Sequence, residues 1–139
     1  MRKPLPPEEF ERFVAEPYVS ILATYRANGD VLLAPVWHEW HDGGFNVIVE
    51  ANDAKARNLR RDPRASLAIA DNDPPYRGCE IRTQARLTSK AADDVFRRIA
   101  IRYLGEREGV AYADSGEGEN LLVRLEPGEL RSWDFAGDF

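Results

Sequence analysis

Sulfur and positive charge are what this chain is short of. It carries one cysteine, Cys79, in 139 residues, so an internal disulfide is excluded and no thiolate cluster exists to hold zinc or an iron–sulfur centre. Its two histidines are His38 and His41. On a strand, positions three apart face opposite sides, so these two cannot ligate one ion unless the strand breaks, and their setting is not HExxH. Acidic residues outnumber basic ones, 24 against 19, for a net charge of −5. Broad nucleic-acid binding needs a basic face to neutralise phosphates, and that balance argues against it. No apolar run is long enough to span a bilayer, and the opening residues Met1 to Pro7 hold no apolar signal-peptide core. The chain is accordingly expected in the cytoplasm, with neither nucleic acid nor membrane as partner. Walker loop, GxGxxG turn and nucleophile elbow are missing as well.

What is present reads as one folded, soluble domain over residues 1–139, with 43% hydrophobic and 31% charged residues. Glu8 to Val14 has Phe10, Phe13 and Val14 on one helical face, and Pro17 ends it. Tyr18 to Tyr25 is β-rich, Asn28-Gly29-Asp30 signals a hairpin, and Val31 to Trp40 is the expected return strand, with Pro35 at an edge or bulge. A further strand spans Phe45 to Glu50. The helix Ala54 to Arg61 precedes a fourth strand, Ala65 to Ala70. Cys79 to Leu87 alternates as a fifth strand, placing Arg82 and Arg86 together on its polar face. Ser89 is the expected cap of a helix running to about Leu104, and Gly105 to Gly118 reads as polar and irregular, with room for a helical turn near Arg107 to Tyr112. Asn120 to Leu125 and Glu129 to Trp133 look like a closing hairpin around Pro127-Gly128. Six or seven strands joined mostly by hairpins, with helices inserted, predict an antiparallel barrel with peripheral helices.

The most informative stretch is Asn52 to Arg64. An apolar run ends just before it, an Asn-Asp pair can cap a helix, and Lys55, Arg57 and Asn58 fall in the first turn and a half. A helix start leaves its first N–H groups unpaired and carries partial positive charge, so these side chains there form an anion cradle. A surface helix with solvated basic residues fits the same local pattern. Arg77, Arg82 and Arg86 are open in the same way: they add charge to a phosphate site or form surface salt bridges. Trp37 and Trp40 alternate faces, one inward and one towards a pocket or partner. Cys79, on the apolar side of its strand, reads as an inert buried residue.

The order of blocks resembles a known family. Ile21-Leu22-Ala23-Thr24 with Asn28-Gly29 comes first, then Ala34-Pro35-Val36-Trp37. The run Ala54-Lys55-Ala56-Arg57-Asn58-Leu59-Arg60-Arg61-Asp62-Pro63-Arg64-Ala65-Ser66 follows, and Tyr76-Arg77 leads a later strand. Together they resemble the pyridoxamine 5'-phosphate oxidase-like superfamily of split β-barrel flavoproteins, in its short flavin or deazaflavin branch, from about Val19 to Trp133.

That resemblance implies a mainly β fold, a six- to seven-stranded antiparallel split barrel with short flanking helices. It implies a homodimer with cofactor pockets at the subunit interface. The cofactor phosphate would meet Lys55, Arg57 and Asn58, and its ring would lie along Pro35, Val36 and Trp37. Glu50 and Ala51 would line the same groove, with Arg77 and Trp133 completing it. Both FMN and the deazaflavin F420 fit: the block from Ala54 to Ser66 favours the deazaflavin branch, whereas Tyr76 to Arg82 and the acidic end are shared with FMN binders. Vitamin B6 turnover is not expected, because the extra C-terminal substrate-binding portion of true oxidases has no counterpart here. The implied function is an oxidoreductase passing a hydride to or from a small organic substrate. The alternatives are a non-catalytic carrier or sensor of the cofactor, or of a haem or other tetrapyrrole, and a structural dimer with a degenerate pocket.

Overall fold

The computed structural model describes residues 3–138. Met1 and Arg2 of the N-terminal stretch read above lie outside the described residues, as does Phe139. In chain order the elements are α1 (Pro7–Ala15), β1 (Ser20–Tyr25), β2 (Val31–Val36), β3 (Glu39–His41), β4 (Gly44–Glu50), α2 (Ala54–Arg61) and β5 (Arg64–Ala70). They continue with β6 (Gly78–Gln84), β7 (Arg86–Thr88), α3 (Ala92–Leu104), α4 (Glu106–Ser115), β8 (Asn120–Leu125) and β9 (Glu129–Trp133). The strands form two antiparallel sheets, one ordered β2-β1-β5-β6-β9 and the other β3-β4-β8-β7. Mainly β with short flanking helices is therefore right. The described residues hold nine strands instead of the six or seven expected.

The extra strands arise because two runs that read as continuous change sheets midway. Val31 to Trp40 breaks at Trp37-His38, leaving β2 in the first sheet and β3 in the second. Cys79 to Leu87 breaks at Ala85, whose N–H is held by the Pro63 carbonyl at 2.7 Å. Arg82 and Arg86 consequently sit in different sheets, Arg82 beside Glu80 and Arg86 beside Glu126. The expected closing hairpin is likewise divided, since β8 pairs with β4 and β7 while β9 pairs with β6.

Side chains between the sheets make the core. Leu22, Leu67, Ile69 and Ile81 face Phe45, Val47, Val123 and Leu125, all at most 1% exposed. Helix α1 closes one side with Phe10, Phe13 and Val14, and Trp40 meets Phe10 and Phe45 edge-on at 5.4 and 4.9 Å. Cys79 is buried, and that burial pushes its thiol pKa up to about 12, where it is an inert apolar filler.

Helix α3 is fixed by charge. Burial alone would raise the pKa of the Glu39 carboxyl, but hydrogen bonds from Arg98 and Asn46 outweigh it and hold the group below the usual carboxylate range. Arg102 on the same helix donates to the carbonyls of Val14, Ala15, Glu16 and His38, satisfying the end of α1. Ser89 does not cap α3 through its hydroxyl. Ala91 takes the cap position with φ 62°, and Ser89 supplies a carbonyl to the Ala92 N–H. The stretch read as irregular around a helical turn near Arg107 to Tyr112 is a ten-residue helix, α4, folded back on α3. Among the described residues no helix is long and apolar enough to cross a membrane.

Candidate cofactor pocket

A cavity of about 440 Å³ lies where β2 and β4 end and α2 begins, roofed by α3 and α4. Pockets of roughly 300–1,000 Å³ with apolar walls and a few placed polar groups are the usual form of a small-molecule site. Pro35, Val36 and Trp37 form one wall, Ile48 and Val49 another. Glu50, Asp53 and Lys55 supply every ionisable carboxylate and ammonium in the lining.

Asp53 has two jobs. Its Oδ1 accepts the Ala56 N–H at 2.9 Å, capping α2, while its Oδ2 holds Lys55 Nζ at 3.0 Å. The carboxylate that starts the helix thus also aims the ammonium. Ala54 and Lys55 lie in the first turn, where backbone N–H groups have no intrahelical acceptor. A ligand anion at this helix start would meet those groups, the helix dipole and the Lys55 ammonium together.

Of the residues expected to bind cofactor, Pro35, Val36, Trp37, Glu50 and Lys55 line this one cavity. The other five stand elsewhere. Ala51 is buried behind the rim, its N–H bonded to the Glu119 carbonyl and its carbonyl accepting from Arg60. Arg57 is exposed and reaches back to the Asn52 carbonyl. Asn58 is buried, giving its amide N–H to Thr24 Oγ1 at 3.1 Å while Arg61 approaches its carbonyl oxygen, so it braces α2 against β1. Arg77 pairs with Asp71 at 3.3 Å and stands over the Phe13 ring. Trp133 covers Gly78, where an added Cβ would lie 2.4 Å from the indole.

Phe96, Ile99 and Tyr112 complete the lining, and sequence reasoning missed them as site residues. Phe96 and Ile99 looked like ordinary members of an apolar stripe, and Tyr112 lay in the segment read as irregular. Its only signal was an aromatic residue in an otherwise polar stretch.

Trp37 is held from behind. Its indole is parallel to the Tyr103 ring, 4.8 Å between centroids and 6° between planes. The neighbouring His38 is fully buried and bonded through both ring nitrogens. Val14 offers a carbonyl, which only accepts, so Nε2 carries the proton and Nδ1 is an acceptor facing the hydroxyls of Ser20 and Tyr103. Burial, reinforced by the nearby Arg102 charge, lowers the His38 pKa to about 4. His41 is exposed on β3 next to Asp42.

A family model described as pyridoxamine 5'-phosphate oxidase matches residues 6–134. The chain belongs to this family. Among solved structures it is similar to the conserved protein Rv2991 from Mycobacterium tuberculosis, at 29% identity and TM-score 0.83, over 95% of this chain and 86% of that one. An F420 reductase matches at 20% identity and TM-score 0.73, over 90% of this chain and 98% of that one. The haem storage protein HutZ from Vibrio cholerae matches at 20% identity and TM-score 0.70, over 91% and 94%. No curated protein matches the chain significantly. The family's split-barrel fold is thus the fold of this protein.

Proposed function

We propose that this protein is a homodimeric, cytoplasmic oxidoreductase that uses a flavin-type cofactor, FMN or F420, to pass a hydride to or from a small organic substrate. The observation that carries the reading is one cavity holding both an apolar wall, Pro35-Val36-Trp37, and a helix start bearing Lys55. A cofactor with a flat ring at one end and a phosphate at the other has matching needs. Bound there, the ring would supply the hydride chemistry. The chain's own part is to orient and to exclude water. Val36 and Ile99 are buried apolar surface, Trp37 is immobilised by Tyr103, and Lys55 is aimed by Asp53. Arg57 and Arg77 are assigned to the cofactor on family resemblance, Arg57 as the nearer of the two in sequence to Lys55.

A second copy of the chain is proposed to cover the outer face of β1 and β2. Ile21, Val31 and Leu33 are 40, 49 and 65% exposed there, and Pro35 pairs with Ile21 in the same register. Val19 and Pro35 belong both to this apolar area and to the cavity lining. A partner seated on it would therefore wall off the cavity from water, and contiguous exposed apolar surface of this kind marks an interface.

The deciding experiment is titration of the purified protein with FMN and with F420, followed by Lys55→Ala. Loss of a charged hydrogen bond to phosphate weakens binding by about 1.5–3 kcal/mol; unchanged affinity removes Lys55 from the site. The carrier reading is separated by turnover. A bound, reduced cofactor that neither oxygen nor any unsaturated substrate reoxidises identifies a carrier.

A further inference from the structure

Helix α2 turns a charged face to solvent. Arg57, Arg60 and Arg61 are all exposed, and at spacings of three and four residues they crowd one side of the helix. Like charges so placed repel and destabilise a helix. The carboxylates at its two ends are already taken, Asp53 by Lys55 at 3.0 Å and Asp62 by Arg64 at 2.8 Å. Among the described residues none of the three arginines pairs with a carboxylate. On the strands, by contrast, Arg82 holds Glu80 and Arg86 holds Glu126. An acidic chain has thus left its positive charge uncompensated at one place.

The three guanidinium groups are also held in position. Arg57 donates to the Asn52 carbonyl, Arg60 to the Ala51 carbonyl, and Arg61 to the Tyr25 carbonyl and Asn58 Oδ1. Each guanidinium has five N–H donors, and these bonds use one or two of them. The remainder are open to a ligand, which need not immobilise the side chains itself. Bracing of the carbonyls explains where each arginine points; it does not explain why three share one face.

We propose that this face of α2 is a docking surface for an acidic segment of a partner protein, one that carries carboxylates at helical spacing. Charge fixes the sign of the partner, and a guanidinium fork takes a carboxylate two bonds at a time. The extent of the face fixes its class. Eight residues of helix span about 12 Å, on a chain whose net charge is −5. The phosphates of a nucleic acid, or the plane of an anionic membrane, run past that length onto surface that repels them. A short acidic segment ends where the arginines end. Arg60 and Arg61 do not line the cavity, so a partner held by them does not compete for its walls.

The test is fluorescence anisotropy with a labelled helical peptide bearing glutamates at i, i+3 and i+4. Its glutamine counterpart, a thymidine oligonucleotide of equal charge and phosphatidylserine vesicles are the comparisons. The acidic peptide should bind at low ionic strength and be released as salt is added. Arg60→Gln combined with Arg61→Gln should weaken it roughly tenfold. Arg12→Gln combined with Arg107→Gln removes the same charge from exposed positions on α1 and α4, and affinity should stay within about twofold. In the parent protein, bound peptide should slow amide exchange along α2, a result that needs no variant. The docking surface is overturned if the acidic peptide does not bind, if its glutamine counterpart binds equally, if both double variants lose the same affinity, or if exchange along α2 is unchanged. Binding of the oligonucleotide or the vesicles that depends on Arg60 and Arg61 and is tighter than that of the peptide overturns it too, and gives the face to nucleic acid or membrane.

Discussion

The Trp37 indole lies parallel to the Tyr103 ring at 4.8 Å, and the Tyr103 hydroxyl links the strands behind it. That hydroxyl accepts the His38 N–H at 3.1 Å and donates to the Tyr18 carbonyl at 2.7 Å. One side chain of α3 therefore fixes both the pocket wall and the point where the chain leaves one sheet for the other. Tyr103→Phe keeps the stacked ring and leaves the buried His38 N–H without its acceptor. Urea unfolding should show a loss of about 1–3 kcal/mol, with the near-ultraviolet signal of the tryptophans retained. A variant as stable as the parent would mean that the hydroxyl bridge is dispensable.

The pH dependence of stability should carry the signature of His38. Its pKa falls from 6.5 to about 4 on folding, so between these values the unfolded chain binds the extra proton. Stability is then complete above pH 6.5 and declines as pH drops towards 4, by about 3 kcal/mol in all for a shift of this size. His38→Gln should flatten that slope, whatever its effect on stability at neutral pH. Guanidinium midpoints measured across the window check this, and an equal slope in the variant would assign the acid sensitivity to carboxylates.

Asp53 allows its two roles to be separated. Asn is as good a helix cap as Asp, so Asp53→Asn should leave stability nearly unchanged while releasing Lys55 from its partner. The affinity for a phosphate-bearing cofactor should then rise a few-fold, by up to about 1 kcal/mol for a pair with this exposure. Asp53→Ala should in addition lower stability by about 1 kcal/mol through the lost cap. Calorimetric titration of both variants with FMN is the measurement.

Placing a charge on the proposed interface should separate the subunits. Leu33 is 65% exposed in the isolated chain, so Leu33→Glu should leave its fold intact. Sedimentation velocity is expected to show a dimer for the parent and a monomer for the variant, with cofactor binding weakened in parallel. A parent that sediments as a monomer at high concentration refutes the homodimer.

Gly109→Ala tests the roof of the cavity. The added methyl group meets backbone atoms of Ile101 and Ala100 at under 3 Å, so α4 must shift away from α3 at a cost of roughly 1–3 kcal/mol. Thermal unfolding reads the loss, and amide exchange should rise first along α4.

The order of elements and the position of Lys55 were legible because they rest on local signals. A cap residue, a proline stop and alternating strands identified α2 and its neighbours, and the helix start delivered Lys55 to the cavity as expected. Asn58 shows where such signals stop. Its place one turn after Lys55 made it an equally good anion ligand, yet its amide is drawn inward to the Thr24 hydroxyl. The sheet crossings at Trp37-His38 and Ala85 were illegible because neither bend carries a glycine, a proline or a turn pair to mark it. Of helix α4 only a turn near Arg107 to Tyr112 was legible, because its residues carry little apolar periodicity. It is stabilised by the close approach at Gly109, a contact with no local signature.

The lock on His38 also bears on how this chain tolerates length variation. Both ring nitrogens and the backbone N–H of that residue are committed to three different elements. One residue added or removed between Val36 and Glu39 would misalign all of them at once. In natural variants, insertions should therefore gather at the exposed tip Asn28-Gly29-Asp30, where hydrogen bonds stay within the turn, and spare the crossing entirely.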